Sequence, residues 1–341
     1  VNSHFDNWCI PSWKLKYVLS LCSSTLEDLT LNIIIAHNEC EHISKPTYQE
    51  PESMPLLKRL HLIRCNDKSR AEKFWSWLWK RCDQVEGLEL SRMKDIAQSL
   101  ANGMLDYMPN LSHIAVSGTY LDDTTVAVLL SGARNGWKGI GMTWFERKIP
   151  EIHEVLMKHS STLERLELNT CTGFTSDDKV QLLANSPKLH TFIDRDDYFG
   201  ACSFIDQDSH TGSLKPWACE ASLKVFKGRI TGIPRPDLEG DGLIEEAYPS
   251  EGRAIQKQVY DRLARLTHLE TLWLGRVHEY YSRNRSNCLE MSLVSGLDRL
   301  EGLKTLVDLN VLNIKTKIGI DEIQWMANQW PRLRVIQCMC E

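Results

Sequence analysis

No apolar run in the chain approaches the ~18 residues that a membrane-crossing helix needs. The greasiest stretches, around Ile33 to Ile35 and Val126 to Leu130, are short, so no spanning helix is expected and no membrane partner. Positive charge is not in surplus either. The 40 lysines and arginines face 45 acids, for a net charge of −5. A surface that neutralises phosphates needs a basic face, so nucleic acid is not an expected partner. No secretory signal is visible, and a start at Val1 rather than Met leads us to expect a natural N-terminus upstream. Eleven cysteines are present, yet in no compact, evenly spaced framework. We expect them to be reduced thiols of an intracellular protein, cytoplasmic or nuclear. The sequons at Asn110 and Asn284 are read as chance.

Catalytic signatures are missing as well. GARNGWKG, from Gly132, lacks the G-x4-G-K-S/T spacing of a phosphate loop and follows a helix instead of preceding one. There is no G-x-S-x-G elbow. HNECEH, His37 to His42, matches no usual zinc spacing, and Cys338 and Cys340, two thiols at the terminal strand, make a poor joint ligand. The acid pairs Asp122/Asp123 and Asp177/Asp178 begin helices, where carboxylates favour the N-terminal dipole. Asp194, Asp196 and Asp197 follow a strand; we expect no metal there. We read no enzyme, no cofactor and no metal site.

What the chain does contain is a repeat. LERLELNTC, from Leu163, is apolar at its first, fourth and sixth positions. The pattern recurs from Leu26, Leu57, Val85, Leu111, Trp137, Leu163, Leu189, Leu223, Leu269, Leu306 and Leu333. The intervals are 31, 28, 26, 26, 26, 26, 34, 46, 37 and 27 residues, and four successive intervals of 26 mark a true repeat. Apolar residues two apart share one face of a short strand, which buries them. The first position turns the chain inward, and a small residue such as Cys65 or Cys171 follows where the strand ends.

Between the strands the pattern turns helical. TSDDKVQLLANSP opens with Thr175 or Ser176 as N-cap and Asp177 and Asp178 in the first turn, then ends at Pro187. LDDTTVAVLLSGARNG and DEIQWMANQWP repeat the scheme. One strand and one helix per repeat predict an α/β leucine-rich-repeat solenoid. We expect a curved horseshoe of about eleven repeats, with a parallel sheet on the concave face and helices on the convex face.

LERLELNTCTGFTSDDKVQLLANSPKL resembles the cysteine-containing leucine-rich repeat of F-box/leucine-rich-repeat proteins and their ribonuclease-inhibitor-like relatives. The likeness covers residues 26 to 341. TGIPRPDL, VYDRLARLTHLETLWLG and SGLDRLEGLKTL look like the set of such proteins in early-diverging filamentous fungi. The resemblance implies the substrate-recognition region of an F-box-type adaptor of a cullin-based ubiquitin ligase. Such an adaptor binds the ligase's small adaptor through the F-box and a target protein through the solenoid. The segment FDNWCIPSWKLKYVLSLC lacks the Leu-Pro-rich start of an F-box, which therefore lies upstream of Val1 or is absent. In the second case the chain is a stand-alone leucine-rich-repeat binding or regulatory protein.

Residues 1–22 read as an N-terminal cap and 23–341 as one continuous array, with insertions at 194–220, 230–253 and 276–290. In FWSWLWK, Phe74, Trp77 and Leu78 share a core face, while Trp75 and Trp79 share another that is open to exposure. Strand residues between the core positions face the concave side: Arg59, His61, Glu89, His113, Asp308 and Asn310 among them, with small Ala115, Gly139 and Gly141 leaving room in the middle. The expected partner-binding group there is Arg165, Glu167, Asn169, Arg195, Lys227, Arg229 and Trp273. Trp and Arg most often anchor interfaces.

Overall fold

The computed structural model describes residues 6–36, 49–64, 72–93, 105–118, 123–143, 150–171, 173–234, 250–275, 288–312, 314 and 318–338. They fall into two compact units, the first Val1–Phe145 with Ile149–His159, the second Glu146–Lys148 with Ser160–Glu341. HNECEH, Cys65, Asp122, Cys340 and most of the second and third insertions lie outside the described residues.

In the first unit the strands are β1 (Asp6–Pro11), β2 (Asp28–Ala36), β3 (Arg59–Ile63), β4 (Gly87–Ser91), β5 (His113–Ser117) and β6 (Gly139–Thr143). The helices are α1 (Ser12–Cys22), α2 (Glu72–Trp79), α3 (Asp123–Ser131) and α4 (Pro150–Lys158). The second unit has β7 (Arg165–Asn169), β8 (Thr191–Gly200), β9 (Val225–Thr231), β10 (Thr271–Trp273), β11 (Asp308–Asn310) and β12 (Val335–Gln337). Its helices are α5 (Ser176–Asn185), α6 (Ala201–Ile205), α7 (Ser250–Ala264) and α8 (Ile320–Gln329), with a 3-10 helix at Leu297–Gly302. Within each unit every strand pairs in parallel with the next in sequence. This is the α/β leucine-rich-repeat solenoid that the template predicts.

The register follows the template residue by residue. Fourth-position residues stand opposite one another: Leu29, Leu60, Leu88, Ile114 and Ile140 in the first unit, and Leu166, Phe192, Phe226, Leu272, Leu309 and Ile336 in the second. All but Ile336 are buried, as are the sixth-position residues Leu31, Leu62, Leu90, Val116, Met142 and Leu168. Each such side chain contributes about 1.5–3 kcal/mol through burial, so these two rows hold sheet and helices together.

In β3, β4, β5 and β7 the bend that ends the strand falls at the eighth position of the template, one residue before Cys171 in β7. Arg64, Arg92 and Thr170 have φ of 52°, 53° and 54°, and Gly118, at the same place, 53°. This left-handed turn lets the N–H groups of Arg64, Arg92 and Gly118 donate to the carbonyls of Ser91, Ser117 and Thr143 at 2.9, 2.8 and 3.0 Å, extending the ladder. A β-branched residue is costly there. Relief of about 1–2 kcal/mol of backbone strain, less the ~0.5–1 kcal/mol entropic cost of glycine, predicts that Thr170→Gly stabilises the second unit by about 0.5–1 kcal/mol. A higher urea midpoint at unchanged slope is the expected result. A lower one would show that the Thr170 side chain contributes more than its backbone costs.

The sequence reading of FWSWLWK holds for Phe74, Trp77 and Leu78, which are buried. It fails for Trp75 and Trp79. Both are 2% exposed and stack on each other at 5.3 Å, so the buried arc of this helix takes in both, and only the side of Lys73, Ser76 and Lys80 is open.

Candidate functional site

The two weakest templates, LHTFID and LKVFKG, put Asp194 and Gly228 at the sixth position where other repeats carry a leucine, valine, methionine or cysteine. Both positions lie in the core and stand opposite each other. Gly228 is small for a reason: a Cβ there would come within 2.9 Å of the Phe199 ring. Phe199 packs with Phe192, Phe204 and Phe226 at centroid distances of 5.5–5.7 Å, replacing the missing aliphatic chain. Phe199 reaches this place because β8 bulges, its pairing with β9 jumping from Asp194 to Tyr198.

Asp194 meets Lys179 of α5. The Lys179 ammonium lies 2.6 Å from carboxylate oxygens of both Asp194 and Asp197, and Lys179 and Asp194 are fully buried. Burial pushes the Asp194 carboxyl up to about 6, against the pull of Lys179. For Lys179, burial works to lower the amine, but the charges of Asp194 and Asp197 outweigh it and leave it raised. These acids hold a bulge together.

The first insertion is also packed. Arg262 of α7 is fully buried and donates to the carbonyls of Lys215 and Ile205, each at 2.6 Å, and to Glu220 at 3.0 Å. Its guanidinium lies 4.5 Å from the centroid of the Trp217 ring, and Arg265 adds a bond to the Leu214 carbonyl at 2.9 Å. Burial pushes the Cys219 thiol, in the same region, up to about 12. Cys171 is likewise buried, and its thiol donates to the Asn169 carbonyl at 3.5 Å.

With β8 bulged and its flank secured, the other face of the strands presents the expected binding residues. Parallel register places Glu167, Ile193, Lys227, Trp273 and Asn310 in one row across β7 to β11. Arg165 stands one row away and is tied to Glu167, with Nε at 2.6 Å from its carboxylate. Lys227 sits over the Trp273 ring, its ammonium 3.2 Å from the centroid. Arg195, exposed on the bulge, reaches the same ring at 5.5 Å. Asn169 accepts the backbone N–H of Arg195 at 3.3 Å, so its part is to seat the bulge. Arg229 points elsewhere: it pairs in register with Tyr198 and donates to Cys288 at 3.2 Å. Alternation does not reveal the role of Asp308, which accepts the Trp273 indole N–H at 2.8 Å and fixes the ring's orientation.

The Lys227 amine is lowered, first by burial and then by the neighbouring charge of Arg195; Asp308 opposes this, and Arg165 adds to it. The result is a half-buried tryptophan with two cations over it and a carboxylate at its edge. Cation–π contacts of this kind contribute about 0.5–2 kcal/mol, enough to hold the three side chains in one arrangement.

No family model matches the chain, and no curated protein matches it. Solved structures do. The chain is similar to the crystal structure of the Rad7 and Elc1 complex in yeast, at 14% identity and a TM-score of 0.43, covering 82% of this chain and 75% of that one. It is also similar to a leucine-rich-repeat protein of Leptospira interrogans, at 11% identity and a TM-score of 0.39, covering 98% of this chain and 82% of that one. Likeness at this level carries no conclusion about activity or partners.

Proposed function

We propose that the chain is a non-catalytic protein-interaction scaffold whose target lies against the outward face of β7 to β11. The observation that carries this reading is Trp273, held by Asp308 at its edge and by Lys227 and Arg195 over its ring. Large aromatic and arginine side chains fixed on a rigid framework contribute most of the energy in protein interfaces, and their fixed conformation lowers the ordering cost of binding. A parallel sheet supplies that framework, since each strand is anchored by its own buried row.

In its finer form the proposal makes this the target-recognising part of an F-box-type adaptor of a cullin-based ubiquitin ligase. Support for that step comes from the resemblance of the cysteine-ended repeat, and it is separately testable. Capture of the native protein from its own cells, with an antibody to this region, should bring down a cullin and its small adaptor. Capture of a target without either would leave a stand-alone binding protein and remove the ligase from the proposal.

A further inference from the structure

Among the described residues, three places outside the repeat core stand out for charge or open space. The pocket lined by Lys16, Lys73, Lys80 and Arg81 of the first unit also holds Glu50. There Arg81 is spent on Glu50, on the Pro51 and Trp77 carbonyls and on the Trp77 ring. The pocket beside Cys202 is lined by Asp206 and Lys215, which pair with each other at 2.9 Å. The Trp273 cluster differs at its centre: where Arg81 and Lys215 are paired with carboxylates, Lys227 and Arg195 are not.

Arg165 is neutralised by Glu167, and Asp308 is engaged by the Trp273 indole. Lys227 and Arg195 contact the Trp273 ring, and among the described residues neither forms an ion pair. A ring quadrupole compensates a cation only in part. Counted over Arg165, Arg195, Lys227, Glu167 and Asp308, three positive and two negative charges leave +1. That remainder matches a single carboxylate. A dianionic phosphate would overcompensate it and would sit near the carboxylates of Glu167 and Asp308.

Resting on the interaction reading above, we propose that this face takes an acidic segment of its partner, with one aspartate or glutamate carboxylate bridging Arg195 and Lys227 beside Trp273. Both cations donate to the carboxylate, and charge-assisted bonds of this kind are short and strong. The neighbouring apolar part of the partner covers the indole.

The test uses the full chain and two probes, a ten-residue glutamate peptide and a phosphoserine peptide of the same length with glycine in place of glutamate. Binding is followed by tryptophan fluorescence, with Trp273→Phe defining the part of the signal that belongs to this site. The glutamate peptide should give a saturable change, absent in Trp273→Phe, and Arg195→Gln with Lys227→Gln should weaken it about tenfold or more. It should bind at least as tightly as the phosphoserine peptide, and it should compete with the natural partner. No saturable change, no effect of the paired variant, or tenfold tighter phosphoserine binding would overturn the inference. A partner whose capture is lost in Trp273→Ala but is untouched by the glutamate peptide would overturn the acidic segment alone and leave the scaffold standing. A partner captured equally by Trp273→Ala would remove both.

Discussion

Lys179→Met is expected to destabilise the second unit by about 3–5 kcal/mol at neutral pH, the usual cost of stranding a buried charge. The Asp194 carboxylate would be left in the core, facing the Phe199 ring that Lys179 overlies at 5.6 Å. Restoring the template should undo this. Lys179→Met combined with Asp194→Leu puts a leucine where other repeats have one, and replacing a buried pair with apolar residues is often neutral or better. Asp197 is partly exposed and can be solvated. We expect the double variant to lie within about 1 kcal/mol of the natural chain, as read by urea unfolding. A single variant as stable as the natural chain would contradict the assignment of the triad.

The same site has a pH signature. The Asp194 carboxyl is raised in the folded chain from 3.8 to about 6. The folded state therefore binds the proton more tightly than the unfolded state does. Its contribution to stability is complete below about pH 4 and is lost as the pH rises through about 6. The natural chain should lose ground against the double variant across that window, and a flat difference would argue against burial of Asp194. Lys179→Met, conversely, should cost less at pH 5 than at pH 7, because Asp194 takes up a proton.

The second large effect is expected at Arg262. Removing its guanidinium strands the carbonyls of Ile205 and Lys215 and takes one of three donors from Glu220, which keeps Arg265 and the Trp217 backbone N–H. A buried charged donor of this kind is worth about 3–5 kcal/mol when one partner is removed. Arg262→Met should therefore unfold at lower urea and open the 206–216 segment to protease. Arg262→Lys should not rescue it, since a single ammonium cannot serve acceptors that a planar fork reaches together. Cleavage at the natural rate in Arg262→Met would show that the segment is secured without this arginine.

The fold was legible because it is periodic. Eleven templates each land on a strand, and alternation within a template separates core from surface at Leu166, Glu167 and Leu168 as it does at Leu60, His61 and Leu62. The left-handed eighth position was not legible, since Arg64, Arg92 and Thr170 stand where glycine would have marked it. Lys179 and Arg262 were missed because each sits in an amphipathic helix pattern where a long cation normally reaches solvent. A signal for Lys179 did exist: an aspartate at a core position of the template demands a partner. Trp75 and Trp79 were misjudged because the apolar arc of this helix is wide, running from Trp77 round to Trp79 with Lys73, Ser76 and Lys80 opposite.

At the candidate site, the template aligns Lys227 with Trp273, and Arg195 reaches the same ring from the bulge. The template could not anticipate the β8 bulge, which shifts Arg229 opposite Tyr198 while Lys227 stays aligned with Trp273. Nor does a single strand show which cations are already paired. Arg165 and Arg195 look alike in sequence, yet Arg165 is held by Glu167 and Arg195 is not. Only the side-chain contacts separate them.

The most direct test is quantitative capture of partners from an extract of the protein's own cells, comparing the natural chain with one carrying Trp273→Ala, Arg195→Ala and Lys227→Ala. Unfolding midpoints confirm that both are folded. The expected result is a set of target proteins retained by the natural chain and lost, tenfold or more, by the triple variant. Retention of the same proteins at the same level by both chains would contradict the assignment of this face as the binding surface.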